Sequence, residues 1–479
     1  MRYFVFFYAI IHLVLGGFMV SKALKNYLNN INEISHTTFD PYGPGVVRIF
    51  LVPPKKIKLS ISWVIIINGE SILPICTSWA ILLREFINSI NKYSGKSVLD
   101  SDIKAAMDEA VLNVSLLFPK TKKSMLESDL KEIIDTLLKI ARKEEVSANI
   151  GYLSLKEYAK YMASPHRMDL LISSMEKNGN WACNQKCMCC YAAGQEKAKE
   201  SEISTEEWKK IIDKLYDARV AQLTFTGGEP TLRNDLVELV KYSSFFVTRL
   251  NTNGRLLTKE LCEKLYKASL DAVQVTFYSY KKEIHNLLVG AVGYYDTIEG
   301  IKNALRAKLL VSINTPLCYL NRDYVKTIEF LHKELGIKYF TCSGLILTGN
   351  ALSNNSRSER MSSNELKKIL LEAYNYCVEN DLELKFTSPG WIDEEFFKEL
   401  KMNPPICGST ISNMAISSCG DLIPCQSYLD GTSFGSLLNN NFKDLWESKK
   451  IKEFKKKIIK IDFNCPLNLK EIENEKNNN

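Results

Sequence analysis

Between residues 204 and 387 helical patterns alternate with short β-branched runs, and this alternation limits the fold more than any other feature. Ser204-Thr-Glu-Glu207 has the form of a capping box and opens a helix over 206–219. Strands follow at 222–226, 245–250, 272–278, 309–314, 337–342 and 382–387. Helices over 258–268, 294–307, 323–334 and 363–379 lie among them. About six such units predict a parallel sheet with right-handed crossovers. In barrels of parallel strands the functional residues sit on loops after the strands' C-terminal ends.

Just ahead of this region stands Trp181-Ala-Cys-Asn-Gln-Lys-Cys-Met-Cys-Cys-Tyr191, a C-x3-C-x2-C run. Three thiolates this close can hold three irons of a four-iron cluster. Such clusters normally take four cysteines, so a set of three leaves one iron for an outside ligand. A zinc site would want a second Cys or His pair at similar spacing, and none lies nearby. Three segments then follow in order, each after a strand-like run: Thr226-Gly-Gly-Glu-Pro230, Leu250-Asn-Thr-Asn-Gly254 and Val273-Gln-Val-Thr-Phe-Tyr-Ser279. Glycine permits close backbone approach, and Glu229 is an anionic acceptor suited to an ammonium group.

Taken together, these segments resemble the radical S-adenosylmethionine (SAM) superfamily. The resemblance implies an α/β fold with a partial (β/α)6 TIM-type barrel as its core. It implies a [4Fe–4S] cluster on Cys183, Cys187 and Cys190, with the methionyl end of SAM on the free iron. Gly227, Gly228 and Glu229 would hold that methionyl end. Asn251, Asn253 and Thr276 are the candidates for ribose or adenine contact. The expected chemistry is reductive cleavage of SAM to a 5′-deoxyadenosyl radical that takes hydrogen from a substrate. The expected partners are SAM and a reductant such as flavodoxin or ferredoxin. The family usually has an aromatic residue before the third cysteine. Here it is Cys189, read as a small apolar residue. His285 is read as ordering a loop, and Asn314 and Asn350 are weaker candidates for the barrel's mouth. No further catalytic residue is assigned.

Residues 391–479 form the expected C-terminal extension. Cys407-x12-Gly420-x4-Cys425 resembles the opening of SPASM and twitch extensions, where cysteines bind auxiliary clusters, and Phe442–Ser448 resembles a short helix found there. The later cysteine runs of a full SPASM domain are reduced to Cys465. Two auxiliary clusters are excluded by ligand count. One remains, on Cys407, Cys425 and Cys465, with the fourth place open to Cys419, Asp462 or the substrate. A twitch-like fold without a cluster is the alternative reading.

Residues 19–150 form an α+β domain ahead of a core at 151–390. Val46–Val52 reads as a strand, and Leu59, Ile61, Trp63 and Ile65 alternate as a second. Asn68-Gly69 marks a turn. Three helices follow, over 77–90, around Ile103–Leu117 and around Leu126–Ile140, the last with a candidate capping box at Ser124-Met-Leu-Glu127. The size suits peptide recognition, and several radical SAM peptide maturases carry a leader-binding unit here. A structural cover for the barrel is the competing reading. Residues 1–18 are apolar, and translation from Met19 is the preferred reading over a membrane anchor.

The chain has 479 residues, 13 cysteines and a net charge of +7 with acidic residues mixed throughout. That balance gives no argument for nucleic-acid binding. Many cysteines in a chain of this size favour metal binding in a reducing, cytoplasmic compartment over disulfides. A peptide is the favoured substrate. A small molecule or cofactor precursor is the alternative, and a non-catalytic peptide-binding protein on the same fold is the different class.

Overall fold

The computed structural model describes residues 22–31, 33–39, 47–94, 98–146, 154–353, 356 and 358–469. The apolar segment 1–18 and the start at Met19 lie outside them. The chain divides into two compact units, one ending at Ser164 and the other beginning at Pro165, so the division falls later than residue 150. No helix among the described residues is long and apolar enough to cross a membrane.

Among its described residues the first unit pairs a four-stranded antiparallel sheet with several helices, the short one at Leu155–Tyr158 included. Its strands, β1 (Ser35–Phe39), β2 (Val47–Val52), β3 (Trp63–Ile67) and β4 (Ser71–Ile75), lie side by side in chain order. Helix α1 (Lys22–Asn29) precedes them; α2 (Thr77–Ile90), α3 (Asp100–Leu117) and α4 (Lys123–Ala141) follow. Asn68 and Gly69 have φ of 52° and 69°, the left-handed pair at the centre of the turn between β3 and β4, which the Glu70 N–H closes on the Ile67 carbonyl at 3.0 Å. β3 is buried at every residue, so its side chains do not alternate between core and solvent. β1 and β4 were not expected. Ser35-His-Thr-Thr-Phe39 is too polar to signal a strand, and Pro74 fits β4 only because that strand is an edge. Helix α4 begins at Lys123 with no side-chain cap, so Ser124 lies inside its first turn and the expected capping box does not form.

The second unit is built on one sheet in the order β11 (Glu383–Phe386), β10 (Tyr339–Ser343), β9 (Leu310–Pro316), β8 (Ala272–Thr276), β7 (Val247–Thr252), β6 (Gln222–Gly227), β5 (Arg167–Ser173), β12 (Asn413–Ile416) and β13 (Leu422–Ile423). Strands β5 to β11 run parallel to one another. The helices between them include α5 (Thr205–Asp217), α6 (Leu236–Tyr242), α7 (Lys259–Lys267), α8 (Lys282–Val289), α9 (Tyr294–Arg306), α10 (Tyr324–Leu335) and α11 (Ser363–Glu379). The fold is thus the expected α/β partial barrel, with one strand more in its strand–helix series than expected. The extra strand is β5. Asp169 interrupts its apolar run, and the strand leads into the cysteine loop rather than directly into a helix, so the strand–helix rhythm does not reveal it.

The C-terminal segment adds strands to the same sheet. β12 (Asn413–Ile416) runs parallel to β5, and β13 (Leu422–Ile423) pairs with it antiparallel. Along the parallel strands one set of alternating residues, such as Leu223, Phe225, Leu250, Val273 and Val275, packs into the main core. The other set is polar: Thr224, Arg249, Asn251, Gln274, Thr276 and Asn314. The sheet is thus apolar on its helix side and polar on the side that lines the interior.

The capping box at the head of α5 is formed. The Ser204 hydroxyl accepts the Glu207 N–H at 3.3 Å, and the Glu207 carboxylate accepts the Ser204 N–H at 2.8 Å. Ser204→Ala is expected to lower stability by about 1 kcal/mol. In urea titrations the midpoint should fall with an unchanged slope.

Candidate functional site

The C-terminal ends of the parallel strands surround a cavity of about 580 Å³. Every cofactor and cluster residue expected from the sequence lines it: Cys183, Cys187, Cys190, Gly227, Gly228, Glu229, Asn251, Asn253, Thr276, Cys407, Cys425 and Cys465.

Hydrogen bonds from three directions hold the loop carrying the first cysteine triad. At the end of α8, Lys186 and Met188 donate their N–H groups to the carbonyls of Val289 and Leu288 at 3.0 and 2.8 Å. After β7, Asn253 Nδ2 donates to Asn184 Oδ1 and Arg255 to the Asn184 carbonyl, both at 2.6 Å. Beyond β10, Asn350 donates through its backbone to the Cys190 carbonyl at 2.9 Å and through Nδ2 to that of Cys187 at 3.2 Å. Asn350 therefore fastens the cysteine loop and does not line the cavity, whereas Asn314 does.

None of the three thiols is in a disulfide. Burial raises all three, Cys183 to about 12, and neighbouring thiols add to the rise at Cys183 and Cys187. Groups of this kind become thiolates only against a strong positive charge. Among the described residues only Glu200, Cys419 and Asp421 bring ligand atoms all within 4.8 Å of one another.

The two glycines fit their places for a reason other than ligand approach alone. Gly228 donates its N–H to the Ser173 carbonyl at 2.8 Å, and a Cβ on Gly228 would meet the Ser174 carbonyl oxygen at 2.5 Å. Gly227, at φ 137°, would collide with the Ser173 backbone. The ends of β5 and β6 touch backbone to backbone here. Glu229, only 2% exposed, accepts at Oε1 from the Thr231 N–H (3.1 Å), the Thr231 hydroxyl (2.6 Å) and the Thr252 hydroxyl (2.6 Å). Its Oε2 accepts the Asn253 N–H at 2.9 Å. Burial pushes this carboxyl up, and the four hydrogen bonds oppose the rise. A carboxylate oxygen has about two lone-pair sites and Oε2 uses one of them, so Oε2 keeps room for one more donor. Asn251 Oδ1 is buried without a hydrogen-bond partner among the described residues. It offers a free acceptor to a ligand in the cavity.

His285 has no place in the cavity lining. Its Nδ1 accepts the Tyr278 N–H at 3.3 Å, and its ring packs on Phe277 and Tyr294. It is fully buried, and burial lowers its pKa to about 4. A neutral, packed imidazole orders the segment after β8. Cys189 lines the cavity and also packs in the apolar group of Tyr278, Leu288 and Cys318.

Beyond the effect of burial, Cys465 raises the pKa of Cys407, and Cys407 and Cys465 raise that of Cys425; all three line the same cavity. Cys419 is turned elsewhere. Its thiol donates to Glu200 at 2.9 Å, beside Lys197, whose ammonium bridges Glu200 and Asp421 at 2.6 and 2.8 Å. Asp462 is exposed and outside the cavity lining. Neither of the protein's two candidates for the fourth place stands with the triad.

Sequence reading missed the polar interior beneath the triads. Asp169, 2% exposed, pairs with Arg167 Nε at 3.1 Å, and its charge adds to the burial that raises Tyr191 and Cys425. Arg249, Gln274 and Lys385 line the same space. Single polar residues at every second position of an apolar run are the signal that marks them.

The radical SAM superfamily model matches residues 182–331, and a model described as SPASM, an iron–sulfur cluster-binding domain, matches residues 407–466. The AdoMet-dependent heme synthase of Methanosarcina barkeri is 28% identical over 291 residues, 56% of this chain and 80% of that one. The PqqA peptide cyclase of Bradyrhizobium diazoefficiens is 37% identical over 132 residues, 27% of this chain and 32% of that one. Streptococcus suis SuiB bound to precursor peptide SuiA aligns with a TM-score of 0.54 at 14% identity. That likeness of fold covers 82% of this chain and 86% of the other.

Two expectations follow from the geometry. Gly228→Ala should separate β6 from β5 and reduce soluble, folded protein sharply, whereas Thr276→Ala should fold normally; circular dichroism and thermal melts distinguish them. His166 and His285 are buried with pKa values near 4, while in the unfolded chain they take protons from about 6.5. Stability from these groups is therefore present above 6.5 and lost as pH falls toward 4. Between pH 7.5 and 5 each should cost about 2 kcal/mol. In urea unfolding across that range, His285→Asn should show a shallower loss than the parent.

Proposed function

Because this chain is a radical SAM enzyme with a SPASM domain, using a [4Fe–4S] cluster and SAM, we propose that it takes hydrogen from a peptide substrate. When bound, the cluster supplies the electron that splits SAM into methionine and a 5′-deoxyadenosyl radical, which abstracts the hydrogen atom. Cys183, Cys187 and Cys190 would hold this cluster. The remaining lone pair on Glu229 Oε2 would take the methionyl ammonium. Asn251, with its free acceptor, and Asn253 and Thr276 on the neighbouring strand ends would contact ribose or adenine. Cys407, Cys425 and Cys465 would hold an auxiliary cluster, its fourth place left to a group outside the protein. Asp169, buried in the same cavity, is the carboxylate available to take a proton from the substrate.

The observation that carries the peptide reading is the reach of the fold likeness. At 82% of the chain it is longer than the residues from Pro165 onward can supply, so it extends into the first unit. The protein it matches was solved with its precursor peptide. The stretch shared with a peptide cyclase supports the same reading. A second reading, a cofactor precursor such as a porphyrin, is favoured by the alignment with 80% of a heme synthase.

The test is anaerobic turnover of reconstituted protein with SAM, reductant and either a short peptide encoded beside its gene or an iron porphyrin. The peptide should raise 5′-deoxyadenosine formation and emerge with altered mass. Stimulation by the porphyrin alone would overturn the peptide reading. Replacing Cys183, Cys187 and Cys190 by Ala should abolish 5′-deoxyadenosine formation with either compound. Iron should fall from about eight to about four per chain.

A further inference from the structure

On the inner face of the sheet the parallel register sets polar residues side by side. Asp169 on β5 stands opposite Thr224 on β6, and Thr224 opposite Arg249 on β7. All three line the cavity. Thr224 and Arg249 come three residues before the ends of their strands. At 3.3 Å per residue the row lies about 10 Å below the strand ends. The expected cluster and SAM contacts lie above it.

Two observations mark this row as a binding place. First, the Thr224 hydroxyl is buried without a hydrogen-bond partner among the described residues, in a residue only 2% exposed. A buried hydroxyl left unmatched destabilises a fold, so one that lines a cavity calls for a group that completes it. Second, the charges of the lining are uneven. Its carboxylates are Asp169 and Glu229, and both are engaged, Asp169 with Arg167 at 3.1 Å and Glu229 with four donors. Its cations are Arg167, Arg249 and Lys385. Lys385 is half-exposed on an edge strand and pairs with Glu383, outside the lining, at 2.6 Å. Arg249 lies on the middle strand of the sheet, beside the unmatched hydroxyl. A guanidinium with a hydroxyl next to it is a donor set for a carboxylate: two N–H groups of the fork meet its two oxygens, and the O–H adds a third bond. Asp169, on the other side of Thr224, repels further negative charge, so a singly charged, planar anion suits the row better than a phosphate.

We propose that Arg249 and Thr224 bind a carboxylate of the substrate and so fix which hydrogen is presented to the radical. This rests on the reading of the cavity as the place where SAM and substrate meet. It does not depend on the choice between peptide and porphyrin, because an acidic peptide side chain and a porphyrin propionate carry the same group. Arg249 and Thr224 act on binding and position alone. Two strand spacings put the Cα atoms of Arg249 and Asp169 about 10 Å apart. That leaves room for a substrate to reach from its anchored carboxylate to the Asp169 side.

The test uses full-length reconstituted protein and the variants Arg249→Gln, Arg249→Lys and Thr224→Val. The probes form two pairs. One is the short peptide encoded beside the gene and the same peptide with its carboxyl groups amidated. The other is an iron porphyrin with free propionates and its methyl ester. Binding is read by anaerobic calorimetry and turnover by 5′-deoxyadenosine. The parent should bind the free acid of one pair roughly ten-fold or more tighter than the masked form. Which pair shows this tells an acidic side chain from a propionate. Arg249→Gln should remove the preference, weakening the free acid by the same factor and leaving the masked form as in the parent. Thr224→Val should remove part of it, and Arg249→Lys should keep part of it. Equal affinity of the parent for free and masked forms, or none for either, would overturn the proposal without any variant. An Arg249→Gln protein that binds both forms more weakly by one factor would overturn it as well. So would a weaker SAM affinity of Arg249→Gln measured without substrate, which would assign the guanidinium to the SAM carboxylate. A carboxylate preference in binding without any rise in 5′-deoxyadenosine would support the carboxylate site and sink the reading of that compound as the hydrogen donor.

Discussion

The buried carboxylate of Glu229 is the contact on which the site depends. An ionised group this deep costs several kcal/mol unless it is satisfied. Four donors satisfy it, from Thr231 twice, Thr252 and Asn253. These bonds fix the loop after β6 against the end of β7. Asn253 then passes the constraint onward by holding Asn184, the neighbour of Cys183. The position of the first cysteine triad is thus set from the interior of the sheet, through a charge that would be unstable in any looser arrangement.

The same economy of contacts explains why the cavity holds two triads. β12, from the C-terminal segment, adds directly to β5 in parallel register, with Ala415 opposite Asp169. This brings Cys425 to the wall of the cavity that Cys183, Cys187 and Cys190 line from the opposite end of the motif order. The polar residues Asp169, Arg249 and Gln274 share that space. A substrate there would meet fixed polar groups on strands rather than on loops, an arrangement that suits precise positioning.

Much of this was legible in the sequence. Helix α11 was expected over 363–379 and occupies those residues, because a cap, a clear period and a glycine-free body coincide there. The first triad was legible because its ligands are close in sequence and its supporting motifs come in order. The parts that were not legible depend on distant partners. Cys419 looked like a cluster ligand until its bond to Glu200, 219 residues away, removed it. Asn350 looked like a mouth residue, yet its partners are the carbonyls of Cys187 and Cys190. β5 escaped because Asp169, the residue that breaks its apolar pattern, belongs to the cavity.

The central claim is that one cavity holds two different clusters, only the first of which meets SAM. Electron paramagnetic resonance of the reduced, reconstituted protein, with and without SAM, tests it directly. Two overlapping [4Fe–4S] signals are expected, and adding SAM should change only the one lost when Cys183, Cys187 and Cys190 are replaced. A single signal, or a SAM response that survives that replacement, would contradict the account.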